Sequence, residues 1–249
     1  FSSALISSSI FTGVGSFAAS NGNVSSAVRP GFVPEKATGN RILLLRPEIT
    51  VNEIAAGGLD QPKADWNDSA RAALIKSMSA AMTARGQMLT EMPELKGDDA
   101  KLLANYRALL KVIGEAAVGN NLFPSDPLPL HKGGLKWTVG PGISALAKAA
   151  GGGDYALVFG TSDSFSSSSR GAAEAVAELM DQPVPKTNRQ GNAALIDLKT
   201  GDLVWMMIDG KMSGDVRTPE GAAKRTTELL RQFPFPLLVV EPTAPAKAK

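Results

Sequence analysis

The sequence predicts an α/β domain, a mixed sheet covered by helices, on three observations. The first is RILLLRP (Arg41–Pro47), a continuous apolar run of strand length, as expected of a strand buried on both faces. The second is a pair of long segments whose apolar residues recur at helical spacing. The third is NAALIDLKTGDLVWMMIDG, two apolar-rich strands meeting at Lys199–Gly201, where Gly supplies a hairpin turn.

Taken in order, residues 1 to 39 hold no sustained period and are rich in Ser and Gly, which predicts a flexible leader. Residues 40–234 read as a single α/β domain, and 235–249 as a Pro- and Lys-containing tail. After the first strand, Asp65 caps a helix to about Ala84, with Trp66, Ala70, Ala73, Leu74, Ser77, Met78, Ala81 and Met82 on one face. Gly86 ends it, and QMLTEMPE returns as a short strand. Asp98 opens a second helix with Leu102, Leu103, Tyr106, Leu109, Leu110, Ile113 and Ala117 inward, and Gly119 stops it. A Pro-rich loop and a short helix from about Gly142 to Ala150 precede a long strand, Tyr155 to about Phe165. An Ala-rich helix, about Arg170 to Met180, leads to the hairpin. Thr218 then caps a last helix with Pro219 at its first position. The order is β-α-β-α-α-β-α-β-β-α, with sheet edges that are mostly antiparallel.

Composition narrows the function. The 249 residues carry a formal charge of +2, no Cys and one His. Disulfides and Cys-based metal or iron–sulfur sites are excluded, as is any multi-His metal site. The basic residues are scattered and mark no nucleic-acid surface. The first residue is Phe1, and FSSALISSSIFTGVGSFAASNGNVSSAVRPG has no charge before Arg29. This predicts the leader of an exported protein whose signal peptide has been removed.

Candidate chemistry is thin. The strand running into Ser166–Ser169, Arg170–Gly171 and a helix has the outline of a nucleophile elbow. The glycine two residues before Ser169 is replaced by Ser167, and His131 precedes the serine where a hydrolase places it after. Gly151–Gly152–Gly153 precedes a strand, whereas a phosphate cradle follows one; Gly140–Pro141–Gly142 opens a helix without the Lys-Ser/Thr pair. Asp197, Asp202, Asp209 and Asp215 read as turn and strand-end residues, with Asp197 and Asp209 about 15–20 Å apart at opposite ends of the hairpin. No catalytic, cofactor-binding or metal-binding residue is expected, and no cofactor.

Three segments resemble the CsgG/TolB-amino-terminal-like family of bacterial envelope domains. They are RILLLRP with its approach to a long helix, GGGDYALVFGTSDSF, and ALIDLKTGDLVW with its Asp-x-x-Thr-Gly hairpin (Asp197, Thr200, Gly201), closed by a helix. The resemblance spans about residues 40–234. The helix pair between Asp65 and Gly119 is longer than the family core leads one to expect, and the family's lipid-bearing Cys would have to lie before Phe1. The resemblance implies a non-catalytic, periplasmic, outer-membrane-anchored lipoprotein that self-assembles or docks on envelope proteins. Two other readings stand beside it: an envelope-polymer hydrolase with a carboxylate site, and a structural subunit of a ring or coat.

Overall fold

A computed structural model describes residues 25–55, 59–122, 134–167, 171 and 188–238. Their strands are β1 (Ser25–Val28), β2 (Arg41–Leu44), β3 (Glu48–Ile54), β4 (Asp60–Pro62), β5 (Met88–Glu91), β6 (Tyr155–Ser166), β7 (Arg189–Asp197) and β8 (Leu203–Asp209). The helices are α1 (Ala64–Thr83), α2 (Gly97–Ala117), α3 (Ser144–Ala149) and α4 (Pro219–Leu229). The eight strands form one mixed sheet in the order β1-β8-β7-β6-β2-β5, with β3 on β6 and β4 on β3. The α/β fold class read from the sequence is therefore the observed one.

The long strand β6 organises the sheet. Its first residues lie parallel to β2 (Ile42 opposite Tyr155), and the remainder lies parallel to β3 (Glu48 opposite Gly160, Ile54 opposite Ser166). β2 and β3 are thus two pieces of one path along the same neighbour, broken at 45–47, where Pro47 has no N–H to give the ladder. The sequence reading missed β3. RILLLRP ends as a strand at Leu44, and Glu48, Thr50 and Asn52 hide the apolar alternation of Ile49 and Val51, which Glu53 breaks before Ile54.

Side-chain alternation sends the sheet's apolar residues to two layers. On one face Ile42, Leu44, Leu157, Phe159, Leu195, Trp205 and Met207 meet α1 and α4. On the other, Leu43, Ala156, Val158, Ala194, Ile196, Met206 and Ile208 meet α2 and α3. α1 buries Ala70, Leu74, Met78 and Met82, the i, i+4, i+8, i+12 stripe of the sequence reading. All seven residues of β8 are buried, and truncating a side chain such as Met207 to Ala would cost about 2–5 kcal/mol.

Several expected boundaries move. Residues 25–39 belong to the body: β1 pairs antiparallel with β8, Phe32 packs on the core, and the Gly39 N–H reaches the Gly86 carbonyl at 2.7 Å. Four small or short residues offer no period to read, yet they cover one side of a fully buried strand. The expected tail also begins too early, because Phe235 is buried against Tyr155 and Phe233. Asp65 does not cap α1; Lys63 holds that position without a side-chain bond, and Asp65 sits in the first turn. α2 likewise begins at Gly97 rather than Asp98, and it passes Gly119 through a π-helical turn, Val118–Leu122. Thr218 caps α4 as expected, accepting the Gly221 N–H at 3.1 Å. Residues 1–24 and most of the Arg170–Met180 segment lie outside the described residues.

Candidate functional site

The three segments that carry the family resemblance meet at one end of the sheet. Asp154 stands between them. Its Oδ2 accepts the Arg41 N–H at 2.8 Å, its own N–H reaches the Arg41 carbonyl at 2.8 Å, and its carbonyl accepts the Leu198 N–H at 3.0 Å. Arg41 Nη1 returns to the Gly151 carbonyl at 2.7 Å. Gly151 and Gly152 stop α3, the Gly152 N–H reaching the Ala147 carbonyl at 2.7 Å, with φ of 74° and 110°. The Gly-Gly-Gly-Asp-Tyr segment is thus a helix stop followed by a strand start, as its order relative to the strand implied.

The Asp-x-x-Thr-Gly segment has an equally local explanation. Asp197 Oδ1 accepts the N–H groups of Lys199 (2.8 Å) and Thr200 (3.0 Å), and the Asp197 carbonyl accepts the Gly201 N–H at 2.8 Å. Thr200 Oγ1 accepts the Asp202 N–H at 3.2 Å. Gly201 has φ of 78°, and a Cβ there would run into the backbone of Gly140. Carboxylate, hydroxyl and missing side chain each serve the turn.

Beside this junction lies a cavity of about 250 Å³ lined by, among others, Glu35, Lys36, Asp154, Tyr155, Asp197 and Lys199. Nothing in the sequence points to it, because Glu35 lies in the 1–39 segment expected as leader. Each carboxylate is engaged. Glu35 pairs with Lys199 at 2.6 Å, and Asp154 Oδ1 with Lys36 at 3.3 Å. The hydrogen bond from Lys199 holds the Glu35 carboxyl below its ordinary range, and Glu35 in turn raises the lysine. Burial, reinforced by Asp197 and Asp154, pushes the Tyr155 phenol up to about 12. A general acid needs a carboxyl held protonated near neutral pH. The Lys199 contact drives Glu35 the other way.

The remaining sequence candidates scatter. His131 and Ser169 lie outside the described residues. Asp209 pairs with Gly191, whereas Asp197 lies at the far end of the same hairpin. Asp202 bridges Arg29 at 3.2 Å, and Asp215 holds Arg217 at 2.7 Å. Among the described residues, no three His, Cys, Asp or Glu are grouped to hold a metal ion.

At the opposite end of the sheet two polar constellations share the same strands. On the α1/α4 face, Asp163 and Arg225 are both fully buried and doubly hydrogen-bonded (2.7 and 2.9 Å). Arg225 also donates to Thr161, to Ser213 O and to Gly214 O. Nearby, the Arg217 guanidinium stacks 3.7 Å from the Phe165 ring centre and 4.6 Å from that of Trp66. On the α2 face, the register Glu48–Gly160–Asn192 and Thr50–Ser162–Gln190, with Asn52 beside Ser164, makes a polar floor. There Glu48 Oε2, Asn52 Oδ1, Gln190 Oε1 and Asn192 Oδ1 are buried without a hydrogen-bond partner.

No family model matches the chain, and no curated protein matches it. Among solved structures it is similar to the PelC dodecamer from Paraburkholderia phytofirmans, at 12% identity and a TM-score of 0.37, covering 84% of this chain and 94% of that one. It is also similar to a single-residue variant of that dodecamer, at 12% identity and a TM-score of 0.35, covering 84% and 95%. At these scores the likeness assigns no function.

Proposed function

We propose that this chain is a non-catalytic, exported cell-envelope protein of the CsgG/TolB-amino-terminal-like kind, which works by assembling with itself or docking on envelope proteins. One observation carries the reading. The residues on which the resemblance rests (Arg41, Asp154, Asp197, Thr200 and Gly201) converge in space, and their polar groups are spent on one another and on local backbone. Such motif residues build a scaffold, and function then falls to the surfaces. The periplasmic location and a lipid anchor before Phe1 belong to the same proposal and rest on the resemblance. Among the described residues no helix is long and apolar enough to cross a membrane.

The hydrolase reading has one observation in its favour, the shared cavity of Glu35, Asp154 and Asp197. Incubating the pure full chain with an ester, a peptidoglycan fragment and a nucleotide separates the two. We expect no turnover, and a native mass above that of the monomer or a defined envelope protein bound at fixed stoichiometry. Turnover lost on Glu35→Gln or Asp154→Asn would replace the binding reading with the hydrolase.

A further inference from the structure

We propose that the edge of β5, open among the described residues, is a self-pairing surface, on which a second copy of this chain adds its own β5 in antiparallel orientation. This rests on the assembling-subunit reading above. Among the described residues β5 ends the sheet beyond β2. The N–H groups of Met88 and Met92 point inward, to the carbonyls of Asn40 (2.9 Å) and Leu44 (2.8 Å). Backbone direction alternates along a strand, so the N–H and C=O of Leu89 and Glu91 face outward.

Natural sheets guard such edges with Pro, charge or brevity. β4 is guarded in this way, three exposed residues ending in Pro62. β5 is also short and ends in the exposed Glu91, but it carries no Pro, and the surface around its start is apolar. Met88 is 57% exposed, and the exposed Leu238 lies against Gly86 just before the strand, with exposed Leu237 beside it.

The outward groups fix the register. Leu89 must face Glu91 of the partner subunit, which sets Thr90 against Thr90 of the partner subunit on the two-fold axis. Met88 then lies opposite Met92 of the partner subunit. Four backbone hydrogen bonds form, and Met88 finds apolar cover on the α2 side, where Met92 already packs. Pro93 ends the ladder.

Charge agrees with this orientation. Arg85 precedes the strand; its Nη1 reaches only the Ala81 carbonyl and its Nε is buried without a partner. Glu91 and Glu94 end the strand and follow it, without an ion pair among the described residues. Antiparallel pairing brings Arg85 of one strand to the Glu91–Glu94 end of the other, which Lys96 follows. Parallel pairing would set like beside like.

The absence of Cys makes the test clean. A pair on the axis has Cα atoms about 4.5 Å apart, within disulfide reach. Two Met88 residues would be roughly 13 Å apart, beyond it. We expect full-length Thr90→Cys to form a covalent dimer under mild oxidation at least tenfold faster than Met88→Cys, although Met88 is the more exposed. Sedimentation of the parent, Met88→Lys and Glu91→Pro gives a second readout. Pro at 91 removes only an outward N–H, so both variants should lower the mass with circular dichroism unchanged. Equal cross-linking at the two positions, or an unchanged mass in both variants, overturns the β5 pairing. If the parent is associated while Thr90→Cys does not cross-link, the edge is wrong and the assembly reading stands. A parent that is monomeric at all concentrations removes self-assembly as well.

Discussion

Two clusters of buried polar groups, one on each face of β6 and β7, differ in how far their hydrogen bonds are made, although Thr226 Oγ1 and Arg189 Nε on the α1/α4 side also lack partners. On the α1/α4 face, Asp163 and Arg225 are buried with their hydrogen bonds made, and Thr161 bonds both Asp163 and the Gln190 carbonyl. One residue along the same strands, the α2 face holds Gln190 and Asn192 with acceptors that meet no donor. Low dielectric strengthens a completed network and penalises an incomplete one. The first face is therefore built to fix α4 and the 213–217 loop on the sheet. The second carries polarity that stability alone does not explain.

The largest expected effect comes from breaking the completed side. Arg225→Met leaves the Asp163 carboxylate buried and alone, and should destabilise by about 3–5 kcal/mol. The double change Arg225→Met with Asp163→Leu should recover most of that loss, since a buried pair is often replaceable by apolar side chains. Urea midpoints at pH 7 measure both. A single variant as stable as the parent would mean the pair is not closed as described.

Next in size is the turn at the near end of the same hairpin, where polar groups are also fully used. Gly201→Val places a β-branched residue at φ of 78° and drives its Cβ into Gly140. A loss of at least about 2 kcal/mol follows from the strained backbone and the collision together. An unchanged denaturation midpoint would remove the turn's role.

Much of this was legible in sequence because it is local. The α1 stripe, the Thr218–Pro219 start of α4 and the Gly201 turn each depend on residues within a few positions of one another. What escaped depends on distant partners. Ser25–Val28 is a strand only because β8 lies beside it, and Glu35 reaches the Asp154 cavity from a stretch that has no period. β3 escaped for a related reason: Thr50 and Asn52 look solvent-facing until β6 and β7 extend the same polar floor. The Asp163–Arg225 pair, 62 residues apart, leaves no spacing to read.

On the incomplete face the sign of the effect reverses. Replacing a side chain whose buried amide oxygen meets no donor by an apolar one of similar shape removes the desolvation penalty of that oxygen. Gln190→Met and Asn192→Leu should each be neutral or stabilising, by up to about 1 kcal/mol, in the same urea titration. A loss of more than about 2 kcal/mol in either would show that the amides are satisfied in solution, and that the two faces are alike.

The smallest effects, and the most diagnostic, are in pH dependence. Glu48 belongs to the incomplete face, and burial raises its carboxyl above the ordinary 4.5 despite Arg107 at 3.3 Å. The folded state then binds this proton more tightly than the unfolded chain. Stability from this group falls as pH rises from 4.5 through the folded value. Asp215, on the other face, is held below the ordinary 3.8 by the hydrogen bond from Arg217. Here the unfolded chain binds the proton more tightly, so the contribution is present above 3.8 and is lost as pH falls through the lower folded value. Both groups are partly exposed, and solvent screening keeps each effect under about 1 kcal/mol. Unfolding free energies measured from pH 3 to 7 should show Glu48→Gln losing the decline above pH 4.5 and Asp215→Asn losing the rise below 3.8. Slopes of the same sign for the two carboxylates would mean that Arg107 does satisfy Glu48, which would close the incomplete face at its α2 end and leave only the amides open.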